Sequence, residues 1–211
     1  MKKVLVLLLA VLALNLSSAQ GKGVYLNGKK INTTKVNSIK ASAGASMFIV
    51  GIGSIKTRAI ISGKTSRDVV DAKELNFEFN FGSESRDDFS TSSIVTVNSP
   101  NDLYLFKLKT KKNSRELLVG TMGTFSGASV GLNSDDAIQY DYSELSTGVY
   151  EVTLPSNLPN GEYAFVSNQW MGVASLLWTF TVENSDYISP LEQSKIDKAK
   201  RKATRKSKGN N

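Results

Sequence analysis

Gly148-Val-Tyr-Glu-Val-Thr-Leu-Pro-Ser-Asn-Leu-Pro-Asn-Gly-Glu-Tyr-Ala-Phe-Val166 reads as two β-strands joined across a corner. Val149, Glu151 and Thr153 alternate with Tyr150, Val152 and Leu154, the period of two that a half-buried strand requires. Pro155 has no N–H to give a neighbouring strand, so the first ladder stops there. Leu158-Pro159-Asn160-Gly161 turns the chain, and Glu162 to Val166 opens the next strand.

A Tyr just after a Leu-Pro-x-Gly corner resembles the tyrosine corner of immunoglobulin-like and fibronectin-type sandwiches, whose phenol hydrogen-bonds back to the backbone upstream. The resemblance implies an antiparallel immunoglobulin-like β-sandwich with Tyr163 as the corner residue. The surrounding sequence agrees with an all-β chain. Asn27-Gly28 is a hairpin signal after the short strand Gly23–Leu26, because both residues tolerate positive φ. Met47–Val50 and Arg58–Ser62 read as short buried strands, the second ended by Gly63-Lys64, although periodicity in runs this short fits a buried helix as well. Leu75, Phe77, Phe79 and Phe81 fall on one face of a strand, and Asn76, Glu78 and Asn80 on the other. Ile94–Val97 is a further strand, and Tyr104–Lys109 and Glu116–Val119 form a hairpin across Lys111–Ser114. Gly120, Gly123, Gly127 and Gly131 read as loop with at most a short strand. Ile138–Tyr142 leads into the corner, and the last strand, Val173–Glu183, puts Leu176, Trp178, Phe180 and Val182 on one face. Short strands joined by turns, with no helical pattern before the end, predict a sandwich.

The two ends differ from this body. Lys2-Lys3, the apolar run Val4–Leu14 and the small residues Ser17-Ser18-Ala19 make a secretory signal peptide cleaved before Gln20. The run is well short of the about 20 residues that span a bilayer. The expected organisation is a signal peptide at 1–19, a sandwich domain at 20–186 and a basic C-terminal helix or tail at 187–211. Ser189-Pro190-Leu191-Glu192 carries the N-cap, first-turn proline and capping-box acid of a helix start. The formal net charge of +7 is unevenly placed: of 26 basic and 19 acidic residues, residues 195–211 hold eight Lys and Arg against Asp197 alone. With the two Lys of the signal peptide set aside, residues 20–194 hold 16 basic and 18 acidic residues, a net of −2. Lys198, Lys200, Arg201, Lys202, Arg205, Lys206 and Lys208 are therefore a candidate electrostatic contact for an anionic envelope component, lipid or glycan. Export argues against nucleic acid as the partner.

The chain has no His and no Cys, so Ser-His-Asp chemistry, thiolate chemistry and the usual zinc ligands are absent. No cofactor and no metal site is expected. Glu78, Glu151 and Glu162 are the carboxylates that a glycosidase would need, but alternation places all three on solvent faces of strands. Glu84, Asp87 and Asp88, and Asn133, Asp135 and Asp136, lack the spacing of a calcium loop and read as soluble loop tips. Asn168-Gln169-Trp170-Met171-Gly172 joins the last two strands, where sandwich domains present binding surfaces. Asn168, Gln169 and Trp170 are thus the candidate ligand-binding residues, with Trp170 either a platform or a plug closing the core.

Ser99-Pro-Asn-Asp-Leu-Tyr-Leu-Phe-Lys-Leu108, Arg115-Glu-Leu-Leu-Val-Gly120, Gly148-Val-Tyr-Glu-Val152 and Leu158-Pro-Asn-Gly-Glu-Tyr163 together resemble a group of uncharacterised secreted proteins of Bacteroidetes type. The blocks lie between about residues 57 and 183, and they carry no active-site motif, so no functional residue follows from them. The expected function is a non-catalytic exported sandwich protein that binds or supports an envelope component, in the periplasm or at the cell surface. A carboxylate-dependent glycan hydrolase is the alternative.

Overall fold

The structure is a computed structural model that describes residues 21–44, 52–82, 97–125, 127–156, 158–183 and 194. The signal peptide, the strand expected at 47–50, the loop with Glu84, Asp87 and Asp88, residues 94–96 and every basic residue named in the tail lie outside the described residues.

Two sheets make up the described chain, which is all-β. In the first, β1 (Gly23–Leu26) and β2 (Lys29–Ile31) form a hairpin about Asn27 (φ 51°) and Gly28 (φ 75°), the positive pair expected of an Asn-Gly turn. With β7 (Phe77–Asn80), β11 (Asp141–Ser146) and β12 (Val149–Thr153) they run antiparallel in the order β11-β12-β7-β1-β2. The second sheet contains β3 (Thr33–Lys35), β14 (Leu176–Glu183), β13 (Gly161–Ser167), β8 (Leu103–Thr110), β9 (Ser114–Gly123), β5 (Ser54–Ser62) and β4 (Ser38–Ala43), in that order. β10 (Gly127–Val130) adds to β9, and β6 (Val69–Asp71) adds to β14 as a parallel pair.

The main core lies between the sheets. Phe77, Phe79 and Val152 from the first meet Phe165, Trp178 and Phe180 from the second. Phe79 meets Phe165 edge-on at 4.9 Å between ring centres, a geometry that puts the positive ring edge against a negative face. Alternation in β12 places Val152 in this core and leaves Glu151 and Thr153 exposed, as the residue pattern requires.

The second sheet does more than cover the first. β8 and β9 pair only at Lys109–Glu116 and Thr110–Arg115, next to their turn. Past that point β8 follows β13, while β9 follows β5 and takes β10 on its other edge at Gly120–Gly123. The sheet thereby folds over, and Phe106, Leu108, Ala164, Val166 and Leu177 meet Ala59, Ile61, Leu117 and Val119 in a second buried cluster. β13 and β14 are covered on both faces. Gly120 and Gly123 belong to β9 rather than to a loop, and a Cβ on Gly120 would stand 3.1 Å from the Ser129 carbonyl, so the glycine admits β10. Val173 is likewise exposed in the single-turn helix Gly172–Ala174, before the last strand begins at Leu176.

Candidate functional site

The corner forms as its residues imply. Tyr163 Oη donates to the Pro159 carbonyl at 2.6 Å, four residues back, while its ring lies fully buried against Phe180. The same turn of chain directs the preceding residue, Glu162, to the opposite face of β13, which is the face of the second core.

Glu162 is therefore buried, at 2% exposure, and not on a solvent face. The sheet's folding over is the physical reason: the face that alternation assigns to water is roofed by β9. The carboxylate accepts from Thr181 Oγ1 at 2.7 Å, from the Ser66 backbone N–H at 2.8 Å and from Arg115 Nη1 at 3.4 Å. Arg115, itself 3% exposed, also donates Nε to the Gly63 carbonyl and Nη2 to the Ser62 carbonyl. Burial lowers the guanidinium pKa and the adjacent carboxylate opposes that shift. The pair closes the end of the second core and ties β9 to β13.

Ser66 extends this cluster to a break in the sheet. β14 pairs with β3 at Leu176–Trp178 and with β6 at Thr181–Glu183, and at Thr179 it has neither partner. The Ser66 hydroxyl fills the place, donating to the Thr179 carbonyl at 2.6 Å, and Thr179 Oγ1 stands 3.0 Å from Thr34 Oγ1. A hollow of about 590 Å³ opens there between β3 and the segment after β5. Its floor is Ser66, Thr179 and Arg115, and its walls carry Asn32, Thr33, Lys35 and Arg67. Lys29 and Asp68 pair at 2.9 Å on its rim.

The residues expected to bind ligand sit elsewhere, at the loop between β13 and β14. Trp170 is half-buried and packs against the second core, so its ring covers that core's end. Asn168 donates its backbone N–H to the Asp102 carbonyl at 2.8 Å and its side-chain amide to that of Asn101 at 3.4 Å. Gln169 is exposed. The structure does not bring this loop to the hollow, whose lining contains none of the three. Asn133, Asp135 and Asp136 form an Asx turn, with Asn133 Oδ1 accepting from the Asp135 N–H, and no metal-holding group of acids exists among the described residues.

Of the other two strand carboxylates, Glu151 is exposed and Glu78 half-buried, and the register sets them directly opposite each other on β12 and β7. Burial pushes the Glu78 carboxyl pKa up.

The Arg115–Glu162–Ser66 cluster could not be read from alternation. Its signal is that no charged residue stands between Glu162 and Glu183, a stretch that supplies two strands buried on both faces. No protein-family model, no curated protein and no solved structure matches this chain. The class that the fold and the hollow define is an all-β protein of antiparallel sheets with a preformed polar concavity.

Proposed function

We propose that this chain is an exported, non-catalytic immunoglobulin-like sandwich protein, akin to the secreted Bacteroidetes-type group, that binds or supports a component of the cell envelope. The signal-peptide pattern at residues 1–19 supports export to the periplasm or the cell surface. The observation that carries the binding role is the polar hollow beside Ser66, whose nearest buried carboxylate, Glu162, is already held by three donors of the fold. A carboxylate so engaged supports structure rather than proton transfer. The basic residues from Lys198 to Lys208 add a non-specific attraction to anionic surfaces.

The test is co-sedimentation with envelope fractions across a salt series, using the full chain and a version ending at Gln193. Pelleting of both at high salt is the expected result if the folded domain holds the partner. Pelleting of the full chain alone, released by salt, assigns attachment to the tail. If neither form pellets, the envelope role fails.

A second reading, a carboxylate-dependent glycan hydrolase, draws on the register that places Glu78 opposite Glu151. Glycan turnover abolished by either Glu→Gln change in a folded protein would support it over the binding role.

A further inference from the structure

We infer that the hollow between β3 and the Ser62–Asp68 segment is a binding site for an acidic saccharide, with Lys35 and Arg67 meeting its anionic group. The inference rests on the binding role proposed above and names the ligand class.

Charge is the first argument. Among the described residues both acids at the hollow are engaged, Asp68 by Lys29 on the rim and Glu162 by Arg115 beneath the floor. Lys35 and Arg67 have no acidic partner among the described residues, and both are exposed to solvent. An arriving oxyanion would replace water on these two cations without breaking an existing ion pair. The lining is the second argument. Among the described residues it is made of Asn, Thr, Ser and charged side chains and includes no aromatic ring. An apolar ligand finds nothing to bury against, and a neutral sugar that binds by stacking finds no platform. The amide of Asn32 and the hydroxyls of Thr33 and Thr65 instead offer paired donors and acceptors to sugar hydroxyls.

Size and rigidity complete the case. A volume of about 590 Å³ exceeds what one inorganic anion fills, so the anionic group is part of a larger polar molecule. The floor is held by the hydrogen bonds of Ser66 to Thr179 and Glu162, so binding there orders little of the protein. Among the described residues β3 pairs with β14 on one side and ends the sheet on the other, so its outer edge faces the hollow.

The experiment is an amide proton–nitrogen correlation titration of the protein with four probes: an oligouronate, a sulfated oligosaccharide of equal length, the neutral oligosaccharide, and inorganic phosphate. The amides of Thr33–Lys35 and Ser66–Asp68 are expected to shift with the two acidic saccharides. The tighter of those two identifies carboxylate or sulfate as the preferred group. Lys35→Ala with Arg67→Ala is expected to weaken binding about tenfold or more, while Lys35→Arg with Arg67→Lys retains it. Both pairs of changes are at exposed positions, and a dispersed spectrum verifies folding. The inference is overturned by unshifted amides at these positions, by equal affinity for the neutral sugar, or by phosphate binding as tightly as the saccharides. Should the alanine pair still co-sediment with envelope fractions while the saccharides fail, the ligand class falls and the binding role stands.

Discussion

Arg115 Nη1 lies 3.4 Å from Glu162 Oε2, with the two side chains 4% and 3% exposed, and this ion pair joins β9 to β13 at the end of the second core. The distance is long for a charge-assisted bond, whereas Thr181 and the Ser66 N–H reach the same carboxylate at 2.7 and 2.8 Å. The carboxylate is thus held chiefly by the neutral donors. Glu162→Ala is expected to destabilise the fold by about 3–5 kcal/mol, because it leaves the buried Arg115 guanidinium without its counter-charge and the Thr181 hydroxyl without its acceptor, while the Ser66 N–H keeps Thr181 Oγ1 at 3.1 Å. Glu162→Gln keeps an acceptor for Thr181 or Ser66 and is expected to lose less. Urea unfolding at constant m-value measures both, and equal losses would show that charge alone matters at this position.

Tyr163→Phe removes the corner hydrogen bond to the Pro159 carbonyl and keeps the ring that stacks on Phe180 at 5.6 Å. The expected loss is about 1 kcal/mol, the net contribution of an ordinary hydrogen bond. A melting temperature unchanged by this substitution would mean that the corner is set by Pro155, Pro159 and packing alone.

Trp170 covers the end of the second core while Gln169 beside it is exposed. Trp170→Ala is expected to cost about 1–3 kcal/mol, below the loss for a fully buried aromatic residue. Gln169→Ala is expected to stay within about 0.5 kcal/mol. Thermal melts compare them. If Trp170→Ala leaves stability unchanged but abolishes envelope co-sedimentation, the ring is a contact surface instead of a plug.

What could be read from residues alone follows from where physics is local. The Asn27-Gly28 hairpin, the Phe77 and Phe79 core face and the Tyr163 corner each depend on neighbours in sequence, and all three appear in the structure. The second core does not have that property. It arises because β9 leaves β8 after two residue pairs, a choice made by Ala59, Ile61, Leu117 and Val119 finding Ala164 and Val166 across a layer. Alternation in β13 therefore assigned Glu162 to water, and the hollow, built from β3 and the Ser62–Asp68 segment far apart in sequence, left no contiguous motif.

Glu78 carries the pH dependence that the first sheet should show. It faces Glu151 on β12 and Tyr25 on β1, and burial raises its carboxyl pKa above the ordinary value of 4.5. As pH rises, the unfolded chain gives up this proton first, so the contribution to stability is complete below the unfolded pKa and is lost as pH rises through the folded one. Glu78→Gln removes the titration. The variant is expected to melt above the parent at pH 7 and to converge with it near pH 4. Glu151→Gln, at an exposed position opposite Glu78, removes only the like-charge cross-strand contact, expected to be about 0.2–1 kcal/mol. Melts of the three proteins from pH 3.5 to 7 make the comparison, and taking differences cancels the other carboxyls. A Glu78→Gln gap that does not change with pH would rule out the burial of this carboxyl as its cause. A variant less stable than the parent at pH 7 would show that the ionised carboxylate is held by a donor that outweighs its desolvation.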